Sequence, residues 1–130
     1  MAAVREVRAL FASFEDSSAT PAAPVSAEVA QAFAALPRSV RATFVRFTLE
    51  ELATLAPGNS VEVRVPPLGV TQCVAGPRHT RGTPPSVVET SPVVWAALVL
   101  GACSWEQAVA AGVLDASGER SDLSTLLPLF

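Results

Sequence analysis

The stretch from Ser86 to Phe130 constrains the fold most, because each element boundary in it is marked by a residue suited to that boundary. Residues 86–90 (SVVET) form a short β-branched run, the composition of a strand. Ser91-Pro92 then pairs a capping hydroxyl with a proline preset for the first helical turn. Val93 to Leu100 is apolar throughout, and Gly101 can close that helix in the left-handed conformation. Ser104-Trp105-Glu106-Gln107 reads as a capping box, in which serine and glutamine satisfy each other's orphan amides, and Gly112 ends the helix it opens. Val113 to Ser117 alternates as a strand, Gly118 turns the chain, and Asp122 caps a last short helix holding Leu123, Leu126 and Leu127. A unit of strand, helix, helix, strand and helix has apolar faces it cannot bury alone, so the rest of the chain must cover it.

The preceding residues supply that cover. Val4, Val7, Leu10, Phe11 and Phe14 recur at helical spacing and predict an amphipathic first helix. Residues 15–25 (EDSSATPAAPV) are small, polar and broken by prolines, a linker by composition, so the chain divides into an N-terminal helix and linker over 1–25 and a domain over 26–130. Ser26 caps a second helix with Val29, Phe33 and Leu36 on its apolar face, stopped by Pro37. A third, the longest, carries Val40, Phe44, Phe47 and Leu55 and ends at Pro57-Gly58. From Ser60 the period switches to two: Val61, Val63 and Val65 face one way, Glu62 and Arg64 the other, so the strand is covered on one side only. Pro66-Pro67-Leu68-Gly69 turns the chain, and Val70 to Val74 pairs back as a hairpin. The order predicts an α+β domain whose small, largely antiparallel sheet of about four to five strands is covered by helices.

Several function classes are excluded or disfavoured by composition. The formal net charge is −3, which opposes the phosphate neutralisation that drives nucleic-acid binding. Mean hydropathy is +0.40, but no window reaches the ~18 uncharged apolar residues of a membrane span. Arg5, Glu6 and Arg8 interrupt the N-terminal apolar residues, so they do not form a secretory signal, and a cytoplasmic location is expected. The two cysteines, Cys73 and Cys103, and the one histidine form no recognisable metal pattern, and no cofactor-binding motif is present.

From Val61 onward the chain resembles the sterol-carrier-protein type-two family, in particular its short single-domain actinobacterial members. The hairpin VEVRVPPLGVTQCV, the loop GPRHTRGTPP running into VVETSP, the helix ending at Gly101, the capped SWEQAVAAG and the close DASGERSDLSTLLPL carry the likeness. The segment from Gly112 to Gly118 holds one residue more than the family's G-x-x-x-x-G strand. The third helix fits acceptably, and residues 1–25 lie outside. The resemblance implies an apolar cavity that binds a lipid, sterol-like or acyl ligand. It equally allows a non-catalytic accessory or interaction domain with a filled core, or kinship with thiol-dependent isomerases and transferases. The animal carriers' peroxisomal tripeptide is absent, since this chain closes on Leu127-Pro128-Leu129-Phe130.

The candidate ligand-binding residues fall in two groups. Arg78, His79 and Arg81, in the loop 75–85, have the chemistry of an anion site for a headgroup; alternatively an arginine there pairs with a carboxylate such as Glu89. Trp95, Leu98, Trp105, Leu126, Leu127 and Phe130 have the chemistry of a cavity lining, and each is equally an ordinary core residue. A Cys–His nucleophilic pair would require Cys73 or Cys103 against His79 and a third orienting group. No residue is assigned a catalytic role. The first helix either docks back on the domain or presents its stripe to a second subunit, as a homodimer, or to a membrane surface.

Overall fold

Three helices lead the chain, α1 (Ala2–Ser13), α2 (Ala27–Ala34) and α3 (Arg38–Leu55). The hairpin β1 (Val61–Val65) and β2 (Gly69–Cys73) follows, then β3 (Ser86–Thr90), α4 (Pro92–Leu100), α5 (Trp105–Ala110) and β4 (Leu114–Ser117). The computed structural model describes residues 1–14, 19–76 and 86–130.

Local chemistry sets most of these boundaries. Ser26 accepts from the Val29 amide, Ser91 from that of Val94 and Ser104 from that of Gln107, and the Gln107 side chain returns a bond to the Ser104 amide to complete the capping box. Each such cap is worth ~1 kcal/mol. Gly101 closes α4 at φ +79°, a conformation that costs a side-chain-bearing residue dearly. The expected helix after Asp122 is absent. Asp122 Oδ1 accepts from the Ser124 amide and the Leu126 amide donates to the Leu123 carbonyl, a single turn and no more. Ser124 and Thr125 favour such local bonds over helix, and Pro128 offers no amide to extend one.

The sheet order is β2-β1-β3-β4. β1 pairs antiparallel with β2 and β3 with β4, but β1 and β3 run parallel, so the four-stranded sheet is mixed rather than purely antiparallel. The reason is topological: β2 ends beside the start of β1, and β3 begins level with that same end, Ser86 opposite Val61. The strand β2 also stops one residue early. Val74 turns out at φ +65°, where its amide donates to the Ala56 carbonyl at 2.7 Å and its carbonyl accepts from Ser60.

One face of the sheet is covered and the other, among the described residues, is not, as the valine alternation requires. Val61, Val63, Val65 and Val88 are fully buried and join Phe44, Val45, Leu49 and Leu52 of α3 in one core. At ~1.5–3 kcal/mol for each large apolar side chain removed from water, this layer is the main source of stability. The approach of α3 to β2 is close: a Cβ on Gly69 would stand 3.0 Å from Leu49 Cδ1. On the open face Arg64 pairs with Glu62 at 2.7 Å, an exposed bridge worth under ~1 kcal/mol.

α1 docks on α3, α2 and α4 with Ala3, Val4 and Val7 buried, so docking is the one of its expected roles that is seen. No helix among the described residues is long and apolar enough to cross a membrane.

Candidate functional site

The helix α4, PVVWAALVL, has no polar face, and Val94 to Val99 are all buried. A helix apolar all round needs cover on every side. On the side facing α3 the cover is complete. Trp95 is inaccessible, and its Nε1–H donates to Thr48 Oγ1 at 2.8 Å, while the Thr48 hydroxyl itself donates to the Phe44 carbonyl at 2.8 Å. No buried side-chain polar atom among the described residues lacks a partner.

The side facing α1 and α2 is different, because α4 presents alanine there. Ala97 and Ala102 form the floor of a cleft of about 300 Å³ whose walls are Phe11 and Phe14 of the first helix and its end, Ala19, Pro24 and Val25 of the linker, and Val29 of α2. Among the described residues no charged side chain lines it. It shares Ala19, Pro24 and Ala102 with a second, wider cleft of about 460 Å³, bordered further by Thr20, Pro21, Glu106, Gln107 and Ala110. A hollow of about 260 Å³ shares Phe11 and Ala102 with the cleft and is lined further by Arg8, Ala12, Leu100 and Gly101. Arg8 holds its guanidinium 5.7 Å from the centre of the Phe130 ring, a cation–π contact worth ~0.5–1 kcal/mol at an exposed site.

The residues singled out from the sequence are not gathered at one place. Leu98 and Leu127 meet with Cys103, Trp105 and Pro128 around a separate hollow of about 270 Å³. Trp95 is a core residue and lines none of these clefts. Leu126 packs half-buried on the core, and Phe130 lies beneath Arg8. Arg78, His79 and Arg81 lie outside the described residues. The residues the sequence reading missed are Val25, Val29, Ala97 and Ala102. Phe11 and Phe14 stood out as a stripe, but nothing local says what that stripe faces.

Both thiols are poor nucleophiles as placed. Burial pushes the Cys73 thiol up to about 11 and raises that of Cys103, whose Sγ–H points at the Ser104 carbonyl at 3.3 Å. Both therefore stay protonated at neutral pH, and the thiolate is the reactive form.

Residues 37–129 match the family model described as bacterial SCP ortholog, which takes in α3, the sheet, α4 and α5 and leaves out α1 and α2. No curated protein matches the chain. The floor of the cleft therefore comes from the matched region, while Phe11, Phe14 and the linker residues that wall it come from the part of the chain before it.

Proposed function

The chain belongs to the bacterial SCP ortholog family, a sterol-carrier-protein-like family, and on that premise we propose that it is a non-catalytic binding protein for a hydrophobic small molecule. The ligand is lipid, sterol-like or acyl in type, and its site is the cleft between α1, the linker, α2 and α4. The observation that carries this reading is the uncharged wall of Phe11, Phe14, Val25, Val29, Ala97 and Ala102. At about 300 Å³, with a second space of about 460 Å³ bordering it at Ala19, Pro24 and Ala102, it has the size and apolar character of small-molecule sites. The protonated thiols support the non-catalytic part of the reading, and two free, buried cysteines suit a reducing cytoplasm.

The test is to fill the floor. Ala102 is exposed at the end of α4, so Ala102→Trp leaves the core untouched. Binding of a fluorescent long-chain alcohol should weaken at least about tenfold, that is ~1.4 kcal/mol, with thermal unfolding unchanged. Native mass spectrometry should show bound lipid on the parent protein and none on the variant.

A second reading, an accessory domain that acts by docking, is favoured by one observation. The layer between sheet and helices is filled, with Trp95, Phe44, Leu52 and Leu98 essentially inaccessible. A parent protein that carries no lipid and binds no alcohol probe would favour this second reading over the first.

A further inference from the structure

We propose that residues 124–130 form a strap that opens over the hollow of Leu98, Cys103 and Trp105 while the rest of the fold stays intact. That hollow and the cleft between α1, the linker, α2 and α4 share no lining residue among those described. The strap therefore stands whether or not the cleft takes a ligand.

The strap is firmly held at its root and lightly beyond. Leu123 is inaccessible, the Ser121 hydroxyl donates to the Gly118 carbonyl at 3.0 Å, and Asp122 Oδ1 accepts from the Ser124 amide at 2.9 Å. Past Leu126 the hydrogen bonds among the described residues come from the Leu129 and Phe130 amides. Both go to one acceptor, the Val99 carbonyl, at 3.0 and 3.4 Å. Leu127 and Leu129 are half-buried and Pro128 is exposed. Phe130 is 46% exposed, with the Arg8 guanidinium over its ring. A segment with so few buried contacts and backbone bonds opens at a lower free energy than the whole fold.

Opening also strands no polar group. The Val99 carbonyl is among the last four of α4, which have no partner within the helix. Those of Ala97 and Leu98 are taken by the amides of Gly101, Ala102 and Cys103, and that of Val99 is left to the strap. When the strap lifts, water reaches this carbonyl and both amides, so each exchanges one hydrogen bond for another. What is uncovered is apolar. Ser124, Leu127 and Pro128 line the hollow from the strap, and the buried Leu98, Cys103 and Trp105 line it from α4 and α5.

The two thiols supply the test, because Cys103 lies in the hollow and Cys73 in the core opposite Val61. The folded full chain is alkylated with iodoacetamide at pH 8, in urea below the unfolding midpoint, and each cysteine is followed by peptide mass. Cys103 should react at least about tenfold faster than Cys73 and with a weaker dependence on urea, as local opening requires. Phe130→Ala lies outside the hollow's lining yet should quicken Cys103 at least about threefold, the scale of the lost cation–π contact. Val45→Ala, in the inaccessible face of α3, should quicken Cys73 and leave Cys103 as it was. Equal rates with equal urea dependence would overturn the proposal, since Cys103 would then be reached only when the whole chain unfolds. A Cys103 rate unmoved by Phe130→Ala, or one that rises in step with Cys73 in Val45→Ala, would overturn it as well.

Discussion

On the side of α4 that meets α3, Trp95 fills its space completely and even its one polar atom is bonded, to Thr48. On the side that meets α1 and α2, Ala97 and Ala102 stop short of their neighbours and leave the cleft. The residues of α4 are apolar on both sides, so hydrophobicity does not distinguish them. Side-chain volume does. Removing apolar surface from water needs only contact, whereas leaving no void needs side chains that reach across the gap. The side of α4 against α3 meets that second condition, and the side against α1 and α2 does not.

Three substitutions or conditions test how deep that contrast runs. The largest effect belongs to the filled side. Trp95→Ala should destabilise the fold by ~3–5 kcal/mol in urea unfolding, since it removes a large buried ring and leaves a cavity. A cost below ~1 kcal/mol would mean that α4 is no better packed against α3 than against α1, and the comparison would be wrong.

A smaller effect should appear on the same side through Cys73, which lies opposite Val61 with its side chain inaccessible. Its pKa is raised by burial from 9.0 to about 11. The raised value contributes stability that is fully present below pH 9, where both folded and unfolded chains hold the proton. As pH climbs, the unfolded thiol ionises first, and that contribution is lost by the time pH passes about 11. The chain contains neither lysine nor tyrosine, so few other groups titrate in this window. The urea midpoint should fall between pH ~8 and ~10, and Cys73→Ala should flatten the slope, with Cys103 supplying what remains. A parent protein equally stable at both pH values would show that Cys73 is reached by water, and that this part of the core is looser than the Trp95 layer.

How much of this was legible in the sequence depends on how far apart the interacting residues lie. The caps at Ser26, Ser91 and Ser104 were readable because each joins residues three apart. The one-sided sheet was readable from the alternation of Val61, Glu62, Val63, Arg64 and Val65. The parallel pairing of β1 with β3 was not, since a strand's composition carries no direction. Nothing local marks Thr48, because its bond to Trp95 spans 47 positions. The cleft was the hardest to see. Alanine in a helix reads as good helix propensity, and whether its neighbours close over it depends on where a linker leads α1. Leu98 and Leu127 do meet, and Trp95 does sit in the core, but the void lies where side chains are missing rather than where large ones cluster.

The smallest effect belongs to the cleft itself. Phe14 ends α1, is 36% exposed and forms part of the apolar wall. Phe14→Ala removes the ring from a space already open to water, so no sealed cavity is made and only the lost contact counts. The expected cost is about 1 kcal/mol, from the partial burial of the ring, well below that of Trp95→Ala in the same urea assay. Binding of the fluorescent alcohol should weaken several-fold, because the ring is one of two aromatic surfaces in the wall. The two measurements must separate: a small loss of stability with a clear loss of binding. If Phe14→Ala instead costs as much stability as Trp95→Ala, the first helix is packed as tightly as the sheet, and the cleft is a gap in the core's edge with no room for a ligand.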